Sequence, residues 1–145
     1  MRATYRVLAG LIALGVVLQA AFIAAAWFTV LKDTDSGAVF DKNSGANWAH
    51  MGHSVVGTIV IPVLALLLLI VSFFARIPGG VKWAAITLGV VVLQIVFAFL
   101  GFAEPVLGVL HGINAFAVAG VASIAMRKAR QVETQPVLGQ PAPIA

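Results

Sequence analysis

The amino-acid sequence predicts an all-α integral membrane protein whose four helices form an up-down-up-down bundle. The composition is one reason: of 145 residues, 61% are hydrophobic and 10% are charged, with a mean hydropathy of +1.06. A soluble domain of this length cannot bury so much apolar surface. The second reason is four long apolar stretches without Asp, Glu, Lys or Arg in their interiors, since a spanning helix needs about 20 such residues. They cover residues 7–31, 50–74, 83–102 and 105–126.

The segments between the apolar stretches are polar or rich in turn residues. Segment 32–49 is rich in Gly, Asp and Asn, and segment 75–82 contains a Pro-Gly-Gly turn. Residues 103–105 leave room only for a tight hairpin between the third and fourth helices. We therefore expect one transmembrane domain over residues 1–130. The Pro- and Gln-bearing segment 131–145 is predicted to be a disordered cytoplasmic tail.

The basic residues predict the orientation in the membrane. Seven of the nine Lys and Arg side chains flank the same side of the four stretches, whereas Lys32 and Lys42 lie on the other side among acidic residues. Cytoplasmic loops carry the excess of Lys and Arg, so we expect both termini on the cytoplasmic face of the plasma membrane. The net charge of +4 then reflects topology, and no nucleic-acid partner is expected. The alternative is a signal peptide that is cleaved near Ala26. The apolar run of a signal peptide is usually shorter than the first stretch, so we expect this helix to be retained.

The first and third apolar stretches share a sequence pattern. Both contain the string VVLQxxF, which places Gln19 and Gln94 at equivalent positions. Each of these helices is followed by one with a histidine near its start, His53 in the second and His111 in the fourth. The pattern indicates two parallel copies of a two-helix unit, related by a pseudo-two-fold axis along the membrane normal.

The polar residues within the stretches are functional candidates, because such groups are costly in lipid. They are Gln19, Gln94, His53, His111 and Asn114, with His50 at a boundary. The second and fourth helices of such a bundle are diagonal partners. Two inward-pointing imidazoles at one depth can then bind the iron of a haem b from both sides. Small residues one turn away leave room for its flat ring: Gly57, Gly108 and Ala115.

Other uses of these residues remain open. The histidines and glutamines can simply form hydrogen bonds between helices, and the same small residues favour tight helix packing. A zinc site from His50 and His53 needs further ligands from Asp41 or His111. The chain has no cysteine, which excludes thiol catalysis and Cys-based metal sites. No catalytic constellation stands out, so the sequence does not indicate an enzyme.

Two resemblances rest on these motifs. The segment from Val92-Leu93-Gln94 through Pro105 to His111 is similar to a four-helix half-domain of haem A synthase, although the acidic and arginine signature of that family is missing. Over residues 5–130 the chain resembles a family of small, uncharacterised four-helix membrane proteins of actinobacterial type. The shared pattern is LQ, HxxxG, LQ and HxxNA in successive helices. The first resemblance implies His53 and His111 as haem ligands, and the second implies no known activity.

These observations lead to two functional expectations. The first is a membrane protein that binds one b-type haem near the outer face, for electron transfer or haem handling, with a quinone or a respiratory complex as partner. The alternative is a structural or accessory subunit of a larger membrane complex without a cofactor. A transporter is less favoured, because only Pro62 interrupts a helix near the midplane.

Overall fold

The protein is a bundle of four long helices in a computed structural model that describes residues 1–133. Four helices are long and apolar enough to cross a membrane, and we call them spans 1 to 4: Arg2–Asp35, Trp48–Ala75, Gly80–Ala103 and Pro105–Val132. Span 1 is α1 (Arg2–Asp35), and span 2 consists of α2 (Trp48–Val55), a π-helical segment (Val56–Val60) and α3 (Ile61–Ala75). Span 3 is α4 (Gly80–Ala103). Span 4 begins with a 3₁₀ turn (Pro105–Leu107) and continues as α5 (Gly108–Glu133). The predicted all-α, multi-pass fold is confirmed.

The helices extend beyond the apolar stretches that predicted them. Span 1 continues to Asp35, and α5 continues to Glu133, inside the segment that was predicted to be disordered. Apolar residues mark only the part of a helix within the hydrocarbon core, and the backbone hydrogen bonds continue beyond it. The remainder of the predicted tail, 134–145, lies outside the described residues.

The packing order places the spans at the corners of a square. Span 1 packs against spans 2 and 4, and span 3 packs against the same two. Within residues 1–133, the diagonal pairs do not pack backbone against backbone along their length. Spans 2 and 4 are therefore diagonal partners, as the up-down-up-down prediction requires.

The interior consists mainly of small side chains. Alanines of all four spans are completely buried, whereas Phe28 and Phe116 on the outer surface are 69% and 81% exposed. Helices in lipid gain little from burying large apolar groups and associate through close packing of small ones. Tyr5 is the largest buried residue, and its hydroxyl donates a hydrogen bond of 2.9 Å to the carbonyl oxygen of Gly80. That bond joins the first turns of spans 1 and 3 across the bundle.

A π-helical segment interrupts span 2 just beyond His53. Within it the backbone N–H of Ile61 donates to the carbonyl oxygen of Val56, five residues earlier. Pro62 follows directly, and its ring removes one donor and crowds the preceding turn. The wider π turn accommodates that disturbance and changes the rotation of α2 relative to α3. The interruption expected at Pro62 thus lies on its N-terminal side, next to the candidate site.

Spans 3 and 4 form the predicted tight hairpin through two glycines. A Cβ atom built on Gly101 would lie 2.8 Å from the Cα atom of Gly108. Gly101 therefore has no room for a side chain, whereas a Cβ atom on Gly108 would make an ordinary contact of 3.7 Å with the Cα atom of Gly101. Gly108, which the sequence predicts to leave room for a haem ring, lies at this contact between spans 3 and 4.

Candidate functional site

The two histidines of the repeat meet in the centre of the bundle. The imidazole rings of His53 and His111 have centroids 6.1 Å apart and planes inclined by 59°. Both side chains are half-buried. The structure thus brings these two residues close together from diagonal spans.

Each histidine is held by the backbone of the glutamine in its own copy of the repeat. The distance from Nδ1 of His53 to the carbonyl oxygen of Gln19 is 3.2 Å, and that from Nδ1 of His111 to the carbonyl oxygen of Gln94 is 3.0 Å. A carbonyl oxygen only accepts, so Nδ1 of each ring carries the proton and Nε2 keeps its lone pair. The two copies share one local geometry that leaves two Nε2 atoms as potential ligands.

The second copy of the repeat contains a closed polar network. Nε2 of Gln94 donates to the carbonyl oxygen of His111 at 2.9 Å. Nδ2 of Asn114 donates to Oε1 of Gln94 at 2.7 Å and to the carbonyl oxygen of Val90 at 3.0 Å. Both ends of the Gln94 side chain thus have partners, and span 4 is fixed to span 3 at the level of the histidines. The prediction that the glutamine side chains form hydrogen bonds between helices is confirmed for Gln94.

The first copy lacks the equivalent network. Nε2 and Oε1 of Gln19 are both buried, and neither has a hydrogen-bond partner within residues 1–133. The amide lies against Gly57, where an added Cβ atom would be 3.2 Å from Nε2. Leaving a buried donor or acceptor unsatisfied costs about 1–3 kcal/mol. Gln19 therefore joins spans 1 and 2 through its backbone carbonyl, while its side chain remains available.

The distance between the two rings matches the distance between two imidazoles that bind one metal from opposite sides. A metal–nitrogen bond is about 2 Å long and the nitrogen lies about 1 Å from the ring centre, so two such rings have centres about 6 Å apart. Hydrogen bonds from Nδ1 to a carbonyl are also the usual support of a metal-binding histidine. In the part of the chain that the structure describes, no three His, Asp or Glu side chains gather to hold a metal ion. The zinc alternative is therefore not supported, and a haem, which itself supplies four nitrogens, suits a donor set of two histidines.

The remaining predicted residues have different positions. Gly57 borders the Gln19 amide, and Ala115 is half-buried one turn beyond His111. Two important positions were missed: Gly101, for which the short hairpin connection was the available signal, and Val56. Aligning the two copies on their histidines would have shown that Val56 occupies the place of Asn114.

His50 belongs to a second feature, a cavity at the end of the bundle that contains segment 36–47. The cavity has a volume of about 410 Å³, and Asp33, Asp41 and His50 are among its lining residues. The side chain of Asn47 caps the N-terminus of α2. It also donates a hydrogen bond of 2.9 Å to the carbonyl oxygen of Ala26, which fixes the segment to span 1. The structure thus places His50 in a polar cleft, separate from the histidine pair.

Asp41 organises the turn on the rim of this cleft. Its carboxylate accepts a hydrogen bond of 2.8 Å from the backbone N–H of Asn43 and another from the hydroxyl of Ser44. These bonds favour the ionised form, so they lower the pKa of Asp41 below its ordinary value. The turn is therefore most stable when this carboxyl group is charged.

Comparison with protein-family models, with curated proteins and with solved structures finds no match to this chain.

Proposed function

We propose that this multi-pass membrane protein binds one b-type haem between His53 and His111, for electron transfer or haem handling. The carrying observation is the paired geometry, in which each ring is held through Nδ1 and their centres lie 6.1 Å apart. Two local structures that hold neighbouring histidines through the same ring nitrogen support a shared metal better than two unrelated hydrogen bonds do.

The protein would contribute orientation and a low dielectric to such a haem. His53 and His111 would hold the haem iron, and the Gln19 and Gln94 carbonyls would fix the orientation of the two imidazole rings. The haem would supply one-electron redox chemistry, whose potential depends on axial ligands, hydrogen bonds and burial. The closed network around Gln94 would keep the ligand of span 4 in place.

The proposed setting is the plasma membrane, with both termini in the cytoplasm. The distribution of Lys and Arg supports this orientation. The histidine pair would then lie in the outer half of the bilayer, since His53 is six residues, or about 9 Å along a helix, from Asn47 at the helix start. A haem at that depth needs a second electron carrier, so a quinone or a respiratory complex is the proposed partner.

The test is an absorption spectrum of the protein purified in detergent after expression with haem supply. The wild-type protein is expected to show a Soret band with about one haem per chain. His53→Ala and His111→Ala are expected to lose it, whereas His50→Ala, the matched control in the polar cleft, is expected to keep it. A wild-type protein without a Soret band, or a band that both histidine variants retain, would refute the proposal.

A second candidate function is an accessory subunit of a larger membrane complex. The specific observation is one face of span 4 on which Gly112 and Gly120 have open space in place of a neighbour, with exposed Phe116 between them. Glycines on a lipid-facing surface permit close approach of another helix. Native mass measurement in detergent tests this function, and a protein that is always monomeric when extracted mildly would count against it.

A further inference from the structure

The two copies of the site share their histidine contacts but differ at the glutamine side chain. The Gln94 amide has partners at both ends, whereas both atoms of the Gln19 amide are buried without a partner in the described chain. The copies also differ at the third residue after each histidine: Asn114, whose Nδ2 donates to Oε1 of Gln94, has Val56 as its counterpart in the first copy. A primary amide that is shielded from water and unused is a strong site for a ligand that offers a matching polar group.

An apolar groove lies on the surface between spans 1 and 2, the two spans that Gln19 joins. It has a volume of about 200 Å³ and no polar side chain in its lining, which comprises Leu11, Leu14, Gly15, Leu18, Val56, Val60, Ile61 and Leu64. Gly15 is one helical turn from Gln19 on the same face, and Leu18 precedes Gln19 directly. Val56 lines the groove and also occupies the position that faces the amide in the repeat. The groove therefore lies close to Gln19 along span 1 and close to Gly57 along span 2, although neither residue is part of its lining.

We propose that this groove binds an isoprenoid quinone, with its apolar tail along the groove and a ring carbonyl accepting a hydrogen bond from Nε2 of Gln19. The ring would reach the amide past Val56, next to the π-helical segment. The proposal deepens the proposed function, because it gives the quinone partner named there a site within the chain. It makes Gln19 a bifunctional residue, whose backbone orients His53 and whose side chain binds the quinone.

The chemistry of the surroundings selects an uncharged head group. Span interiors at this level contain no Lys or Arg that would neutralise a phosphate, and a charge there is costly. A quinone ring is neutral and carries carbonyl oxygens, which match the Nε2 donor. Its branched tail is wholly apolar, as is the lining of the groove.

The experiment measures equilibrium binding of a short-tailed menaquinone to the purified protein in detergent, with Val56→Asn as the central variant. Asparagine at this position copies Asn114 and should give the Gln19 amide the arrangement of Gln94, in which Oε1 accepts from the asparagine and Nε2 donates to the carbonyl oxygen of the histidine. Binding is expected to weaken about tenfold, the factor that one hydrogen bond typically supplies, and Gln19→Leu should behave similarly. Ile59→Asn is the matched control, because Ile59 lies in the same π-helical segment but is 57% exposed on the outer surface; it is expected to bind like the wild type.

The outcomes separate quinone binding from its alternatives. Menadione, which has the ring without the tail, is expected to bind more weakly than the short-tailed menaquinone, and phosphatidylglycerol is expected not to compete. Equal binding by Val56→Asn and the wild type, or full competition by phosphatidylglycerol, would overturn the proposal. If Gln19→Leu does not fold, Val56→Asn still decides the question.

The same variants distinguish this proposal from the haem proposal. His111→Ala should lose the Soret band and keep quinone binding, because His111 belongs to the second copy. Val56→Asn should bind the quinone about tenfold more weakly and keep the Soret band. The opposite result would overturn the Gln19 site: His111→Ala would lose quinone binding, and Val56→Asn would bind the quinone as tightly as the wild type.

Discussion

Replacement of Gly101 by alanine is expected to force spans 3 and 4 apart at their hairpin. The added Cβ atom would lie 2.8 Å from the Cα atom of Gly108, whereas non-bonded carbons are best separated by about 3.5–4.0 Å. The contact is therefore too short by about 0.7–1.2 Å. The obstacle is backbone, so no side-chain rotation relieves it, and the helices must separate.

The loss of stability in Gly101→Ala can be measured against the same substitution at Gly112, which has space for a side chain. Overpacking by one methyl group typically costs about 1–3 kcal/mol, while the change from Gly to Ala gains up to about 1 kcal/mol in helix propensity. Gly112 has open space at the same point, so Gly112→Ala receives the gain without the clash. The difference in unfolding free energy between the two variants should thus be about 1–3 kcal/mol, with Gly101→Ala less stable.

The assay is reversible unfolding in mixed detergent micelles, followed by circular dichroism for the wild type and both variants. Since the propensity change is common to the two alanine variants, their difference isolates the contact between Gly101 and Gly108. If Gly101→Ala is as stable as Gly112→Ala, the close approach of the backbones is not a feature of the protein in its membrane environment.

Two further predictions concern the ends of the bundle. Tyr5→Phe removes the buried hydroxyl that donates to the carbonyl oxygen of Gly80 and should lower the unfolding free energy by about 0.5–1.5 kcal/mol; unchanged stability in the same assay would contradict this. The pKa of Asp41 is lowered in the folded turn, so its contribution to stability is present above the ordinary value of 3.8 and is lost as the pH falls through the lowered value. The amide proton of Asn43, followed by NMR, should titrate with a midpoint below 3.8, and a midpoint at or above it would contradict the turn geometry.

The sequence predicted those features that depend on composition and on position along a helix. Four apolar stretches predict four spans because lipid requires long apolar helices. Their alternating direction brings His53 and His111 to one level, and the shared VVLQxxF string indicates which glutamine belongs to each histidine. These predictions need no knowledge of how the helices are rotated against each other.

The features that escaped prediction depend on that rotation. Apolar residues surround each span, so the sequence pattern does not reveal which face turns inward, and the core alanines resemble the rest of the helix. The close contact of Gly101 with Gly108 and the isolation of the Gln19 amide are consequences of interhelical geometry. The π-helical segment is a third case, because Pro62 signals a disturbance without stating how the preceding turn accommodates it.

The departures from symmetry are more informative about function than the symmetry itself. Both copies hold a histidine through a glutamine carbonyl, so this contact is the part of the repeat that positions the two rings. Only the second copy completes its polar network, through Asn114, and stability alone would favour the same completion in the first, where Val56 leaves a buried amide unpaired. The unpaired amide lies against Gly57 of the π-helical segment, and residues that neighbour Gln19 and Gly57 in the sequence line an apolar groove between the same two spans. Helix interruptions and unsatisfied polar groups concentrate at functional sites because stability is lost there in exchange for binding. On that physical ground, spans 3 and 4 hold His111 through a completed polar network, and the contact between spans 1 and 2 is the place where the proposed ligand from the membrane would bind.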